Sequence, residues 1–257
     1  MLRKRLIGVV TVRQGLVVQS MGYQKYLPVG DPACVVENLD RWGVDEIFIQ
    51  VIDRTGFGPD FALLNILAHS GLSTPVCYCG GIRNEQDAIA VIQQGADRIA
   101  VDSLLHDDPD MARNISLRLG AQAVVAVMPV INKGNEITWY DYRNKIAAVI
   151  SDDIKDLFSQ KHISELMLID SANEGKRNSF SRTITDAFEF LSTPMILFGG
   201  ISEPAQHAEL FADARVSATA CGNFLNYKEH MVQQIKQALN GVSVRQSQFQ
   251  SGDGLCL

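Results

Sequence analysis

Thr74-Pro75-Val76-Cys77-Tyr78-Cys79-Gly80-Gly81-Ile82 and Thr193-Pro194-Met195-Ile196-Leu197-Phe198-Gly199-Gly200-Ile201 share one layout: Thr-Pro, a short run rich in apolar residues, then Gly-Gly-Ile. The two stretches lie 119 positions apart (193 − 74). The same offset relates Glu46 to Glu165, Gly56 to Gly175 and Ser103 to Gly222. Repetition at a fixed spacing marks a duplicated structural unit. Each run is too short for a helix and lacks polar alternation, as expected of a strand buried on both faces.

The same reading extends along the chain. Strands are expected at Leu6–Val12, Glu46–Ile52, Pro75–Cys79, Arg98–Val101, Ala123–Met128, Glu165–Ile169, Met195–Phe198 and Val216–Ala220. Amphipathic segments lie between and after them, at Pro32–Trp42, Asp60–Ser70, Glu85–Gly95, Pro109–Leu119, Ser151–Lys161, Thr183–Leu191, Pro204–Ala212 and Lys228–Leu239. Several begin near Asp, Asn or Ser and end near Gly, the usual capping asymmetry. Alternation of this kind predicts a single (β/α)8 barrel over residues 1–241, built from two (β/α)4 halves. An open doubly wound sheet is the competing topology, but its G-x-G-x-x-G fingerprint is absent after the first strand. Gly134–Tyr142 reads as a small hairpin on the loop after the fifth strand. Residues 242–257 form a polar tail expected to fray.

The chain has 257 residues, 46% of them hydrophobic and 20% charged, enough for one large core. Its net charge of −6 argues against a nucleic-acid face, which needs clustered Lys and Arg. No apolar run approaches the ~18 residues of a membrane span, and Leu6–Val10 is too short for a signal peptide, so a cytoplasmic protein is expected. The five cysteines, Cys34, Cys77, Cys79, Cys221 and Cys256, are too sparse for a disulfide framework and read as reduced thiols in a packed interior. Cys77 and Cys79 sit two apart on a strand and point the same way. Neither they nor the scattered histidines have metal-ligand spacing. No metal or other cofactor is expected.

Two kinds of residue carry chemistry. Gly80-Gly81, Gly199-Gly200 and Gly222-Asn223 each follow a strand and precede a helix, where backbone N–H groups can approach an anion. They also serve simply as tight turns. The repeat sets two such places across one barrel mouth, which suits a ligand with two phosphate-like ends. At the opposite strand ends stand Arg5, Glu46, Arg98 and Glu165. Turned inward they would form a charged ring at the barrel bottom, and buried charges persist only when paired. Pattern alone reads them as solvated turn charges.

As a set, Met1-Leu2-x-Lys4-Arg5-x-Ile7, Gly30-Asp31-Pro32, Gly43-Val44-Asp45-Glu46, Gly80-Gly81-Ile82, Gly95-Ala96-Asp97-Arg98 and Gln122-Ala123-Val124-Val125 resemble the cyclase subunit of imidazole glycerol phosphate synthase, from residue 1 to about residue 240. The resemblance implies a barrel paired with a glutaminase whose ammonia crosses the barrel to a ribulosyl substrate carrying two phosphates. It implies an ammonia gate at Arg5, Glu46, Arg98 and Glu165, with Arg98 replacing the usual Lys, and so turns these four inward. It implies a glutaminase contact at Asp97. Phosphate binding falls to Gly81, Ser103, Gly175 and Gly200 and, less closely, Asp102 and Gly222.

The departures fall on the catalytic pair. The family's two general acid–base aspartates align with Thr11 and Pro129, and neither residue titrates near neutral pH. The usual Asp-Gly after the sixth strand is Glu174-Gly175, followed by Lys176, and a strand-2 Asp aligns with Val51. Three functions follow. The first is an ammonia-channelling barrel that has lost the usual cyclisation, like divergent copies encoded with surface-polysaccharide (lipopolysaccharide) genes, which work with a sugar amidotransferase to make an amidino sugar. The second is a working cyclase of the lyase class, or a sugar-phosphate enzyme, using relocated carboxylates among Asp53, Asp102, Asp170 and Glu174. The third is a non-catalytic scaffold for a glutaminase.

Overall fold

Eight strands pair side by side, all parallel, and the eighth returns to the first. In this computed structural model, which describes residues 3–133, 136–228, 230–239 and 241–245, β1 is Arg5–Arg13. An antiparallel hairpin follows, β2 (Leu16–Met21) and β3 (Lys25–Gly30), then helix α1 (Pro32–Trp42). The barrel continues through β4 (Glu46–Val51), α2 (Phe61–Ala68), β5 (Val76–Cys79), α3 (Glu85–Gln93) and β6 (Arg98–Val101). Two helices, α4 (Ser103–Asp107) and α5 (Pro109–Leu119), lead to the long β7 (Val124–Lys133). β8 (Glu136–Asp141) and β9 (Ile146–Ala148) fold back from β7 above the barrel. α6 (Asp152–Ser159), β10 (Glu165–Asp170), α7 (Thr183–Ala187), β11 (Met195–Phe198), α8 (Pro204–Phe211), β12 (Val216–Cys221) and α9 (Met231–Ala238) complete it.

Local chemistry explains the element ends. Asp31 caps α1 by accepting from the Ala33 and Cys34 amides, with Pro32 in the first turn and Gly43 left-handed beyond the last. Asp108 and Pro109 open α5 in the same way. Gln14 and Gly15, both at positive φ, make the two-residue turn between β1 and β2. This hairpin is not among the strands expected from the sequence, although Gln14-Gly15 and Gly22 are its turn signals. The short α4 is also absent from the expected helices. The expected Gly134–Tyr142 hairpin is present as β7 against β8, although Gly134 and Asn135 themselves lie outside the described residues.

The 119-residue repeat is visible in the hydrogen bonds. The Ile47 amide donates to the Pro75 carbonyl at 2.9 Å, and the Leu166 amide donates to the Pro194 carbonyl at 2.9 Å. A Cβ on Gly80 would come 2.8 Å from the Val51 carbonyl oxygen, and one on Gly199 would come 2.6 Å from that of Asp170. Each Gly-Gly pair is thus fixed first by strand packing, at positive φ, where only glycine fits.

Two apolar cores result. One lies between strands and helices, with Val36, Leu39, Leu64, Ile115, Leu157 and Ile235 facing the outer side of the barrel. The other fills the lumen, where Ile7, Val9, Phe48, Ala100, Val127, Met167, Phe198 and Ala220 meet. Cys77 belongs to the lumen core and Cys79 packs against it, so both point inward as expected. Cys34, read as interior, is instead exposed on α1, while Cys221 is buried and Cys256 lies outside the described residues. Val242 and Val244 pack on the outer core and the Ser243 carbonyl accepts from the Lys4 amide, so residues 242–245 dock on the barrel. The rest of the predicted tail, from residue 246, lies outside the described residues. Among the described residues no helix is long and apolar enough to cross a membrane.

Buried His207 on α8 pairs through Nδ1 with the Thr219 hydroxyl on β12 at 2.8 Å. Burial pushes its pKa from 6.5 down to about 3, so the folded protein holds it neutral. The unfolded chain binds that proton more readily, so stability falls as pH drops from about 6.5 towards about 3. The slope from this group reaches about 1.4 kcal/mol per pH unit. Urea unfolding of wild type and His207→Gln across this range should show the slope reduced in the variant.

Candidate functional site

Side chains alternate along a strand, so every second residue of β1, β4, β6 and β10 enters the lumen. At the N-terminal end of the strands these are Arg5, Glu46, Arg98 and Glu165, and the four meet. Arg5 Nη2 donates to both Glu165 oxygens at 2.6 and 2.7 Å, and its Nε lies 3.5 Å from Glu46. Arg98 Nη1 reaches Glu46 at 3.1 Å and Glu165 at 2.8 Å. Arg98 also donates to the Ser164 hydroxyl at 2.7 Å and to the Gln122 carbonyl at 3.2 Å. The Ser217 hydroxyl donates to Glu165. The reading of these residues as separate solvated turn charges is therefore corrected: each strand's first inward position faces the barrel axis, and the charges pair there.

Both carboxylates of the ring are buried, Glu46 at 4% and Glu165 at 6% exposure. Burial raises the Glu46 pKa despite Arg98 and Arg5. Burial also opposes ionisation of Glu165, but Arg5, Arg98 and the Ser217 hydroxyl outweigh it and hold its pKa below the ordinary range. Two positive and two negative charges cancel, which is what a buried cluster requires. Asp97 stands beside the ring at the exposed bottom edge, with its carboxylate accepting from the Val76 amide at 2.8 Å.

At the opposite end of the lumen lies a cavity of about 450 Å³, within the range of small-molecule sites. Gln50, Cys79, Gly81, Asp102, Ser103, Pro129, Tyr142 and Arg143 are among its walls, with Tyr23 and Tyr26 from the β2–β3 hairpin. Stacking of His106 on Trp139, with ring centroids 3.8 Å apart, ties the β7–β8 excursion to α4. Asp102 ends the lumen-facing column of β6 and is the one carboxylate among the described cavity-lining residues. Burial pushes its pKa up to about 7, with Asp141 adding to the rise and Arg143 and Tyr142 opposing it. Arg143 is held in a bidentate pair with Asp107 at 2.7 and 2.8 Å and leaves Asp102 largely uncompensated.

The other candidate carboxylates lie elsewhere. Asp170 faces outward from β10 and accepts from the Asn173 side chain and the Ser181 amide, fixing a loop. Asp53 accepts from the Gln14 amide at 2.7 Å, bracing two loops. Buried Glu174 accepts from the Ser20 hydroxyl at 2.9 Å and the Tyr23 amide at 3.2 Å, anchoring the hairpin. Strand alternation excludes Asp170, and backbone partners occupy Asp53 and Glu174. Thr11 does face inward, but its hydroxyl accepts from Gln50 at 2.7 Å, and Gln50 in turn accepts from the Tyr23 hydroxyl at 3.1 Å.

The glycine positions divide in the same way. Gly81, Asp102 and Ser103 line the cavity, whereas Gly175, Gly200 and Gly222 do not. A Cβ on Gly175 would come 2.5 Å from the Ser20 carbonyl oxygen, and one on Gly200 would come 2.5 Å from the Ser179 hydroxyl. Asn223 Nδ2 donates to the same Ser20 carbonyl at 2.5 Å. A Cβ on Gly81 would likewise come 2.5 Å from Gly58, so Gly81 and Gly200 are equally close to their loops. The halves differ at the hairpin, which closes on Gly175, whereas its repeat partner Gly56 has open space beside it. Sequence repetition shows matching glycines and is blind to a hairpin that leans on only one set.

Two outcomes test this geometry. Arg98→Lys keeps the charge but has no fork to reach Ser164 and Gln122 together with the two glutamates, so it should cost about 1–2 kcal/mol in urea unfolding. Glu174→Ala removes the hairpin anchor and should speed hydrogen exchange of residues 17–27 while barrel strands keep their protection.

With the geometry established, comparisons place the chain. The model of the family described as "Histidine biosynthesis protein" matches residues 5–231. A Vibrio vulnificus protein provisionally named imidazole glycerol phosphate synthase subunit hisF2 is 28% identical over 236 residues, covering 90% of this chain and 86% of the relative. The Lysinibacillus sphaericus imidazole glycerol phosphate synthase subunit HisF is 27% identical over 255 residues, covering 95% of this chain and 100% of the relative. A Campylobacter jejuni protein, also provisionally named subunit hisF2, is 26% identical over 249 residues, covering 95% and 99%. The chain belongs to the histidine biosynthesis protein family, among the HisF-like cyclase subunits of imidazole glycerol phosphate synthase.

Proposed function

We propose that this barrel receives ammonia from a glutaminase at its charged end and conducts it to the opposite cavity, where it serves nitrogen incorporation into an amidino sugar of a surface polysaccharide. The observation that carries this reading is the contrast between the two ends. The four-charge ring is complete and paired, whereas Thr11 and Pro129 occupy the two acid–base positions that the family resemblance implies. A positioned acid or base supplies about 10²–10⁴ in rate, so losing both leaves histidine-pathway cyclisation negligible. The apolar lumen between ring and cavity suits neutral ammonia and disfavours ammonium, because an unpaired ion pays a large desolvation cost there.

The same reading assigns Asp97 to the glutaminase contact, and Gly81 and Ser103 to a phosphorylated small molecule. A sugar amidotransferase is the consumer of the nitrogen at the mouth. The relatives named subunit hisF2 agree with a second, divergent copy of the family.

The test follows labelled nitrogen into the amidino sugar in the reconstituted system, from amide-labelled glutamine and separately from ammonium chloride. Glu165→Ala, with Glu165→Gln as the variant that keeps the side chain's shape, should lower glutamine-derived incorporation roughly tenfold or more, because the local concentration of ammonia is lost. Ammonium-derived incorporation should change far less. Unchanged glutamine-derived incorporation in both variants would overturn the conduit. Efficient cyclisation of the ribulosyl bisphosphate with ammonium salt would replace the reading with that of a histidine-pathway cyclase, and a glutaminase complex unaffected by blocking the lumen would replace it with that of a scaffold.

A further inference from the structure

Arg98 and Ala100 on β6 and Asp102, the residue just past its end, form one inward column. Arg98 belongs to the charged ring, Ala100 is one of the alanines of the lumen core, and Asp102 opens on the cavity. Four residues at about 3.3 Å each put the two ends of this column roughly 13 Å apart. Between the ring and Asp102 the lumen is lined by apolar side chains. Asp102 Oδ1 is buried without a hydrogen-bond partner, a costly state that a ligand or a proton would relieve. The nearby Tyr142 hydroxyl favours its charged form.

We propose that Asp102 is the proton-transfer group of the cavity, taking a proton from ammonia as its nitrogen adds to a carbonyl carbon of the bound ligand. The assignment rests on the conduit reading and deepens it. The nitrogen lone pair forms the new C–N bond, and the carbonyl π pair moves to oxygen. One proton leaves the positively charged nitrogen for the Asp102 carboxylate and is then delivered to the alkoxide. The product is a carbinolamine, and Asp102 ends in its starting state. No oxidant or further reactant enters.

The surroundings fit the role. The titratable and charged groups that face Asp102 are Cys79 from β5, Tyr23 from the hairpin, and Asp141, Tyr142 and Arg143 from the β8–β9 excursion. Burial raises the pKa of Cys79, Tyr23 and Tyr142 far enough to keep them neutral near pH 7. Arg143 is engaged with Asp107. Only Asp102 is balanced between charged and neutral forms at neutral pH, where an acid–base group works best. The carboxyl thus stands just past β6, away from the Thr11 and Pro129 positions.

Two measurements on the full chain bound to its glutaminase test the proposal. In a carbon-13 titration of side-chain carboxyls, one aspartate should titrate near pH 7, disappear in Asp102→Asn and shift downward in Asp141→Asn. If every aspartate titrates below about pH 5, the ordinary protein range, the proposal falls. In the second, a water-soluble carbodiimide is the probe, activating cavity carboxyls so that arriving ammonia converts them to amides. With amide-labelled glutamine as nitrogen source, residue 102 should be labelled roughly tenfold faster than from the same concentration of labelled ammonium, by the local-concentration effect. Glu165→Gln should erase that preference. Labelling of exposed carboxylates with residue 102 untouched by either source overturns the role of Asp102. Labelling of residue 102 equally from both sources, with its midpoint still near 7, overturns the conduit instead and with it the ammonia part of the assignment.

Discussion

Side-chain alternation on a closed parallel barrel is the constraint on which the rest depends. Once eight strands close, only every second residue can enter the lumen, and the register between strands sets the height of each. Arg5, Glu46, Arg98 and Glu165 share the lowest level and must neutralise one another. Asp102 lies two inward positions above Arg98. Asp170 lies one residue beyond the inward Ile169 and therefore faces out, where it fixes a loop. One register rule thus separates a carboxyl that meets the cavity from one that cannot, although one ends its strand and the other directly follows one.

The ring is better understood as a specific closure than as a source of stability. Removing four charged groups from water costs more than most pairs return, and a well-packed apolar plug would serve stability at least as well. Arg98 is suited to holding such a closure. Its planar fork reaches both glutamates, the Ser164 hydroxyl and the Gln122 carbonyl, whereas an ammonium would act as a point charge. The pairing also makes the ring cooperative, since displacing Arg98 leaves Glu46 and Glu165 sharing Arg5 alone.

Much of the fold was legible because its signals are local or repeated. The eight apolar runs, the capping residues Asp31, Asn84, Asp108 and Ser151, and the 119-residue offset are all written in the chain. The ring was legible only through family resemblance, because no pattern within β1 or β6 tells an inward arginine from a solvated one. Strand alternation from Glu165 already turns Asp170 outward, but the division between Asp102 and the other two candidates was not legible. It depends on which loop each carboxyl braces: Gln14 for Asp53, Ser20 and Tyr23 for Glu174. Such partners lie far away in sequence and are chosen by packing. The β2–β3 hairpin escaped notice because its turn, Gln14-Gly15, falls directly after a strand and reads as the beginning of an ordinary βα loop.

That hairpin is also what breaks the symmetry of the two halves. Each half supplies a Gly-Gly pair pressed against the preceding strand, at Val51 in one and Asp170 in the other. In the second half the hairpin carbonyl of Ser20 sits over Gly175, held by Asn223, while Glu174 grips Ser20 and Tyr23 from below. The hairpin is tied to β1 by strand pairing at Val12 and Val17, and its Tyr23 and Tyr26 also wall the cavity beside the first half. The half left open is the one that contains Gly81, Ser103 and Asp102. Tyr23, whose hydroxyl bonds the Gln50 that occupies Thr11, carries the same hairpin across the top of the lumen. Thr11 therefore helps support this cover through Gln50, and the open half is where a ligand can meet a titratable carboxyl.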